Sequence, residues 1–167
     1  MDPMNPTCDT DALQLQKDIF YMKQAILLAG SAEREGEVPV GAIIIDDEDT
    51  ILAKTWNRTI TLSDPAAHAE ILAIREAGKR VGNYRLLNTT LYVTVEPCVM
   101  CMGAVIHARL KRVVFGVYDP KWGAAGSLFD FSEKGIFNHM VEVTNGVCET
   151  ECRQLLVDFF RRKRNHA

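Results

Sequence analysis

The sequence predicts an α/β fold with three layers, α/β/α, built around a central five-stranded mixed sheet. Strand-like apolar runs alternate with helix-like segments through most of the 167 residues. Such alternation favours a mixed sheet with helices on both faces. A hydrophobic content of 47% is enough for a substantial core, and neither an internal repeat nor an interdomain linker interrupts the pattern. We therefore expect one domain with the element order α-β-β-α-β-α-β-(α)-β-α.

The first third of the chain predicts a helix followed by a β-hairpin. Apolar residues recur at helical spacing and predict an amphipathic helix that ends near Gly36. These residues are Leu15, Ile19, Met22, Ile26 and Ala29. Residues 40–45 are continuously apolar, residues 46–50 have turn composition, and residues 51–56 are again strand-like. The two runs are therefore expected to pair as a hairpin.

The remaining two thirds predict helices and strands in alternation. Ser63-Asp64-Pro65 is typical of a helix start, because it offers a capping side chain and a proline for the first turn. A third strand at residues 91–95 leads to a helix opened by Pro97. The order is completed by a fourth strand at 112–117, a glycine-broken loop at 119–127, a fifth strand at 140–144 and a final helix from about Glu149.

The ends and composition of the chain predict its organisation and location. Residues 1–12 read as a flexible polar leader, because they contain prolines and aspartates and no apolar segment typical of a secretion signal. Residues 13–167 form the single domain. No apolar run is long enough to cross a membrane. The five cysteines are an odd number, which argues for a reducing compartment, and we expect a cytoplasmic protein.

Two short motifs predict a catalytic metal site. His68-Ala69-Glu70 and Pro97-Cys98-Val99-Met100-Cys101 each follow a strand-like run and open a helix-like one. The imidazole of His68 and the thiolates of Cys98 and Cys101 make three protein ligands for Zn²⁺. A tetrahedral zinc with three protein ligands keeps its fourth position for water or substrate, which is typical of a catalytic site. Glu70 supplies the carboxylate that shuttles the proton of such a water.

The spacing within these motifs makes further predictions about geometry. Cys98 and Cys101 are three residues apart and share a helical face, and a helix N-terminus favours their thiolate forms. His68 and Glu70 are two residues apart, so they cannot lie on one side of the same helix. We expect both side chains to reach back over the helix end toward the metal.

Two other interpretations of the cysteines remain open at this point. A bare Cys-x-x-Cys is also typical of a thioredoxin-like redox pair, although its usual partner sequence is absent. A non-catalytic domain with a closed structural Cys₄ zinc site would use Cys98 and Cys101 together with Cys148 and Cys152. That arrangement would leave His68 and Glu70 without a role.

The motifs and several further segments resemble the bacterial tRNA-specific adenosine deaminases, within the cytidine and deoxycytidylate deaminase superfamily. The His-x-Glu and Pro-Cys-x-x-Cys motifs are the signature of zinc nucleobase deaminases. The cysteine motif resembles the family from Glu96 onward, and the other segments are Val38-Pro39-Val40-Gly41-Ala42, Trp56-Asn57-Arg58, Asn83-Tyr84-Arg85-Leu86, Gly123-Ala124-Ala125-Gly126-Ser127 and Phe159-Phe160. Together they cover nearly everything after the leader.

The resemblance implies a fold, an activity and partners. It implies that residues 13–167 are a zinc-dependent deaminase domain of the cytidine deaminase-like fold, acting as a homodimer with one Zn²⁺ per subunit. The implied reaction is hydrolytic deamination of the wobble adenosine in a tRNA anticodon stem-loop to inosine, with release of ammonia. The alternative within the same chemistry is a deaminase of a free base or nucleoside, such as guanine or cytosine.

The resemblance also implies substrate-binding residues. Asn57 would hydrogen-bond the purine, and Asp119 and Asn138 would lie on loops that flank the extruded nucleotide. Asn57 and Asp119 are also common turn residues, which is the competing interpretation. Trp122 lies in the same loop as Asp119, where the family does not require an aromatic residue, and its role is left open.

The end of the chain predicts a local RNA contact. Phe160 precedes the basic run Arg161-Arg162-Lys163-Arg164. An aromatic side chain beside cations suits single-stranded RNA, through base stacking and phosphate attraction. The competing interpretation is a phenylalanine in the core and a solvated basic tail. With a net charge of −3 and a pI near 5.8, the chain has no global basic field, so any RNA contact must be a local patch.

Overall fold

The computed structural model describes residues 6–165, with side chains from residue 10 onward. Four helices and five strands lie within this range. In chain order they are α1 (Pro6–Arg34), β1 (Gly41–Ile45), β2 (Ile51–Trp56), α2 (Ala69–Val81), β3 (Thr90–Val95), α3 (Val99–His107), β4 (Arg112–Val117), β5 (Glu142–Thr144) and α4 (Glu149–Asn165). In this range, no helix is both long and apolar enough to pass through a lipid bilayer.

The strands form one mixed sheet in the order β2-β1-β3-β4-β5. β1 pairs antiparallel with both β2 and β3, whereas β3, β4 and β5 are parallel neighbours. The predicted hairpin closes at Asp46, whose carboxylate accepts the N–H groups of Glu48 and Thr50 at 3.0 and 2.8 Å. In this topology the start of β1 and the carboxyl ends of β3 and β4 meet at the same end of the sheet. The site lies at that end.

Both faces of the sheet are covered, which confirms the predicted three layers. Along β1, Ala42 and Ile44 pack in the core cluster shared with α2 and α3. Ile43 and Ile45 pack in the cluster shared with α1 and α4. A strand buried on both faces is apolar at every position and not only at every second one, which explains the continuous run seen in the sequence.

A buried polar network ties the first helix to the sheet. The carboxylate of Asp18 accepts two hydrogen bonds from the guanidinium of Arg112, at 2.8 and 2.7 Å, and one from the hydroxyl of Tyr92 at 2.9 Å. Arg112 also donates to Thr144 Oγ1 at 2.7 Å. Burial, followed by the neighbouring Asp18 carboxylate, raises the pKa of Tyr92 and keeps its hydroxyl protonated. The network therefore joins α1, β3, β4 and β5.

The first helix is longer than expected at its N-terminus. It begins at Pro6, so residues 6–12 of the expected leader continue the helix, while residues 1–5 lie outside the described residues. Leu15 was expected on the buried stripe, and this is wrong, since the residue is 53% exposed. Residues 10–16 are all exposed, and Asp18 is the first buried residue among those of α1 whose side chains are described. The first described turns therefore extend past the sheet on which the helix packs.

The segment between β4 and β5 differs from the bracketed helix of the predicted order. Among the described residues, 118–140 form turns and two isolated bridges, Cys98 with Gly123 and Ala125 with Asp130. The segment is rich in residues that favour turns, and these compete with a helix for the backbone hydrogen bonds. The fifth strand is correspondingly shorter than expected, three residues instead of five.

Candidate active site

His68 occupies the cap position of α2 and does not lie within the helix. Its backbone is extended, with φ −67° and ψ 150°, and α2 begins at Ala69. The expected helix start at Ser63-Asp64-Pro65 is therefore wrong. The Asp64 side chain accepts the N–H of Ala66 at 2.8 Å and its carbonyl accepts the N–H of Ala67, which closes a turn there instead.

This geometry removes the difficulty posed by the two-residue spacing of His68 and Glu70. The spacing crosses the boundary between extended chain and helix, so the helical facing rule does not apply to the pair. Both side chains reach the same cavity. The buried hydroxyl of Thr55 on β2 donates to the carbonyl of Ala69 at 2.7 Å and holds this helix start against the sheet.

The two cysteines lie at the start of α3, which β3 separates from α2 along the chain. Cys98 is the cap residue, with φ −75° and ψ 175°, and Cys101 is fully buried in the first turn. The Sγ atoms of Cys98 and Cys101 lie 3.7 and 3.6 Å from Nδ1 of His68. The three candidate ligand atoms all lie within 4.8 Å of one another.

These separations fit a tetrahedral zinc ion. Zn–S bonds of about 2.3 Å and a Zn–N bond of about 2.0 to 2.1 Å place sulfur and nitrogen about 3.6 Å apart at the tetrahedral angle. Cys148 and Cys152 belong to no such group among the described side chains, and Cys152 packs in the core on the α1 and α4 face. The closed Cys₄ site is therefore excluded.

The electrostatics of the ligand group favour a bound cation. Hydrogen bonds from Cys101 and His68 lower the pKa of Cys98 to about 4, so this sulfur is a thiolate at neutral pH. The hydrogen bond to Cys98, together with burial, raises the pKa of Cys101. The hydrogen bond with Cys98 also raises the pKa of His68. Cation binding to this group is therefore coupled to the release of protons.

Glu70 is buried beside the three ligands, in the first turn of α2. Only 4% of the residue is exposed. Burial raises the pKa of its carboxyl group to about 7. A carboxyl group with a pKa close to the working pH both accepts and returns a proton readily, which is the property expected of a general acid-base catalyst.

One open cavity of about 1060 Å³ joins these groups to most of the predicted substrate residues. Its walls include, from the predicted site, Asn57, His68, Glu70, Cys98, Asp119 and Phe160. Val99, Met100, Tyr118 and Trp122 contribute apolar and aromatic surface. A mostly apolar cleft with a few convergent polar groups is typical of a binding site for a small molecule or an extruded base.

Asn57 is held at the cavity wall by a buried glutamate that no sequence motif marks. Asn57 Nδ2 donates to Glu37 Oε2 at 3.4 Å. Glu37 is fully buried and also accepts the N–H of Thr61 at 2.7 Å and the hydroxyl of Thr59 at 3.2 Å. Burial alone would raise the pKa of Glu37, but hydrogen bonds from the backbone at Thr61 and Ile60 and from side chains outweigh it and lower the pKa.

A second buried carboxylate, Glu96 at the end of β3, organises the loop that carries Asp119. Its Oε2 accepts the N–H of Asp119 at 2.9 Å, and its Oε1 accepts the N–H groups of Ala125 and Ser127 at 2.9 and 3.0 Å. Gly123 lies against the same carboxylate, where a Cβ atom would come within 2.1 Å of Oε2. A charge at the end of a buried strand requires such partners, and that requirement is the signal that could have marked Glu96 in the sequence.

Asp119 lines the cavity and also caps its own turn. Its Oδ1 accepts the N–H groups of Lys121 at 2.9 Å and Trp122 at 3.3 Å. The structure thus shows the turn role that competed with substrate binding, at a position that borders the cavity.

Asn138 does not join the other predicted substrate residues. Its carbonyl accepts a hydrogen bond from Arg109 at 3.1 Å, and the residue does not line the cavity of its own chain. Arg109 precedes β4, whereas Asp119 follows it. Because β4 and β5 are parallel, the connecting segment must return along the whole six-residue strand, about 20 Å. The loop that carries Asn138 and the loop that carries Asp119 are therefore expected at opposite ends of β4.

The two phenylalanines of α4 have different environments. Phe159 is buried, whereas Phe160 is 45% exposed and lines the cavity. The basic run beyond them is partly neutralised, since Arg161 pairs with Asp158 and Arg162 with Glu33. Lys163 lies over the Phe159 ring, with its ammonium nitrogen 5.5 Å from the centroid.

The fold and the site together define a class of protein. A three-layer α/β/α fold, with a His-Cys-Cys group and a buried glutamate at two helix starts, is typical of zinc-dependent nucleobase deaminases. Residues 15–117 match the cytidine and deoxycytidylate deaminase zinc-binding region.

Relatives over nearly the whole chain narrow this class. The tRNA-specific adenosine deaminase of Haemophilus influenzae is 50% identical over 156 residues, 93% of this chain and 90% of the relative. The tRNA-specific adenosine deaminase of Bacillus subtilis is 47% identical over 150 residues, 90% and 92% of the two chains. A solved structure from a study of A-to-I editing by tRNA:A34 deaminases at the wobble position of transfer RNA superimposes with a TM-score of 0.77 and 40% identity. It covers 82% of this chain and 99% of that one. The chain belongs to the tRNA-specific adenosine deaminase family.

Proposed function

We propose that this protein converts the wobble adenosine of a tRNA anticodon to inosine by hydrolysis, with release of ammonia. The observation that carries the proposal is the buried carboxyl of Glu70 next to the His68, Cys98 and Cys101 group, at a cavity large enough for an extruded nucleotide. The two relatives described above are named as deaminases of adenosine in tRNA, which is the same substrate class.

The residues divide the chemistry between them. His68, Cys98 and Cys101 would hold one Zn²⁺ per subunit. When bound, the ion supplies a Lewis acid that lowers the pKa of water from about 15.7 toward about 7. Glu70 accepts the proton of the attacking water and delivers it to the ring nitrogen as the amine-bearing carbon becomes tetrahedral. Glu70 then takes the proton of the hydroxyl group now on that carbon and passes it to the exocyclic nitrogen, so that the C–N bond breaks, ammonia leaves and the carbonyl of inosine forms.

Asn57, Asp119 and Phe160 are the groups we assign to the substrate. Asn57, oriented by Glu37, would hydrogen-bond the purine, Asp119 would contact the extruded nucleotide, and the exposed ring of Phe160 would stack on RNA. Asn138 is held near Arg109, outside this cavity. Its predicted contact with the substrate therefore requires the second subunit of a homodimer.

We also assign residues 13–167 to a single deaminase domain that works in the cytoplasm. The support for the location is the tRNA substrate, together with Cys148 and Cys152, which are free cysteines outside the ligand group.

A direct assay tests the proposal. The purified protein, loaded with zinc, is incubated with an anticodon stem-loop that carries a wobble adenosine, and inosine is measured by mass spectrometry of the digested RNA. Free adenosine, cytidine and guanine are assayed in parallel. We expect inosine in the stem-loop only. Turnover of a free base with an unchanged stem-loop would contradict the proposal.

A further inference from the structure

Trp122 is an exposed aromatic side chain at the rim of the catalytic cavity that the proposed chemistry does not use. The residue is 69% exposed and lines the cavity together with Asp119 and Lys121. An indole offers a large flat apolar surface, and a protein gains little by leaving it in water. Isolated exposed apolar residues are common on protein surfaces. Trp122 differs from them because it borders the cavity of the candidate active site.

The backbone that carries Trp122 is held rigidly. The Asp119 carboxylate accepts the N–H groups of Lys121 and Trp122, and the Asp119 carbonyl accepts the N–H of Gly123 at 2.9 Å. The hydroxyl of Ser127 donates to the same carbonyl at 2.7 Å, and Glu96 holds the two ends of the loop. Pro120 fixes a backbone angle within the turn. A preorganised support loses little conformational entropy on binding.

The surroundings of Trp122 favour a nucleic acid as the occupant. Tyr118, which is 41% exposed, and Phe160 line the same cavity. Lys121 is exposed and adjacent in sequence, so a cation accompanies the aromatic surface. Aromatic faces combined with a nearby cation suit unpaired nucleotides, because each base offers a flat π surface and each link carries a phosphate.

We propose that Trp122 is the stacking platform for the nucleobase adjacent to the reacting adenosine, with Lys121 close to its phosphate. The inference rests on the proposed function and goes further, because it assigns a subsite outside the position of the deaminated base. The substrate must then carry at least one unpaired neighbour of the adenosine, and a free nucleoside forfeits this contact.

Fluorescence tests the contact without any need for turnover. The chain has two tryptophans, Trp122 and the partly buried Trp56. The stem-loop is titrated into Glu70→Gln and into Glu70→Gln/Trp122→Phe, and RNA binding is followed independently by the anisotropy of a labelled stem-loop. The difference in emission between the two proteins isolates Trp122. We expect this emission to be quenched as RNA binds.

Kinetics test the consequence for the substrate. Loss of one base stack should lower kcat/KM of Trp122→Ala on the stem-loop by about 5-fold to 150-fold, whereas Trp122→Phe should retain most of it. Tyr84→Ala is the matched control, because Tyr84 is equally exposed, at 69%, and does not line the cavity. On a stem-loop with an abasic neighbour, the protein with Trp122 should fall to the level of Trp122→Ala.

The outcomes separate this inference from the function on which it rests. If labelled RNA fails to bind Glu70→Gln and the zinc-loaded protein forms no inosine, the proposed function fails and this inference with it. If RNA binds while Trp122 emission is unchanged, or if Trp122→Ala edits the intact stem-loop at the normal rate, the stacking subsite alone is refuted.

Discussion

Replacing Glu96 by glutamine keeps the size of the side chain but reduces the number of hydrogen bonds that it can accept from the loop at residues 119–127. The carboxylate accepts three backbone N–H bonds of 2.9 to 3.0 Å, from Asp119, Ala125 and Ser127. The amide of glutamine has one acceptor oxygen and one NH₂ group. With NH₂ at the Oε2 position the bond from Asp119 is lost, and with NH₂ at the Oε1 position the other two are lost.

The magnitude follows from this geometry. Hydrogen bonds to a charged group contribute about 1.5 to 3 kcal/mol each, and a donor left buried and unpaired adds to the cost. We expect Glu96→Gln to lower the free energy of unfolding by about 2 to 4 kcal/mol, and Glu96→Ala to lower it further because all three bonds go. Both variants should also loosen the turn that presents Asp119, so kcat/KM on the stem-loop should fall while the zinc ligands are unchanged.

Urea unfolding, zinc content by atomic emission, and stem-loop kinetics provide the three readouts. Glu133→Gln is the matched control, since Glu133 is exposed on the segment that follows the same loop. A Glu96→Gln protein within about 0.5 kcal/mol of the control in stability, with unchanged kcat/KM, would refute the assignment of Glu96 as the residue that holds the loop.

Glu70→Ala should retain zinc by elemental analysis, because the three ligands are intact, while kcat falls by about 10²-fold to 10⁴-fold. A zinc-free or unfolded variant would show that Glu70 has a structural role instead. Cys101→Ser should lose zinc, whereas Cys148→Ser should keep both zinc and activity, since Cys148 belongs to no ligand group among the side chains that the structure describes. Equal zinc loss in both variants would contradict the assigned ligand set. Glu37→Gln should be destabilised by about 1.5 to 3 kcal/mol at pH 7 in urea unfolding. Because the pKa of Glu37 is lowered in the folded protein, its stabilisation is present above the ordinary glutamate pKa of about 4.3 and is lost as pH falls through the lower folded value. The difference from the protein with Glu37 should therefore shrink in acid, and a difference that grows in acid would reverse the sign of the argument.

The group formed by His68, Cys98 and Cys101 was predictable because its pattern is local. A cysteine pair three residues apart at a helix start is set by the helix itself, and His68 was expected in the first part of another helix. The three layers were predictable for a related reason, since doubly covered strands show as continuous apolar runs. The start of α2 was mispredicted because Asp64 and Pro65 suit a turn as well as a helix cap.

The supporting residues were not predictable by the same means. Glu96 and Glu37 bind groups that lie 20 or more residues away in sequence, and no short motif records such a pairing. Asn138 is separated from the cavity by the length of a strand, a consequence of parallel pairing that only the assembled sheet reveals. Positions whose role depends on a distant backbone are the ones that local patterns miss.

The ion pair between Asp18 and Arg112 joins residues 94 positions apart in sequence. A contact between such distant residues costs loop-closure entropy, and during synthesis it cannot form before both partners have been made. A chain emerging from the ribosome would therefore carry its first helix incompletely anchored until the fourth strand has been synthesised. Correct docking of α1 then reports that nearly the whole sheet is in place, which makes hydrogen exchange along this helix a sensitive gauge of complete folding.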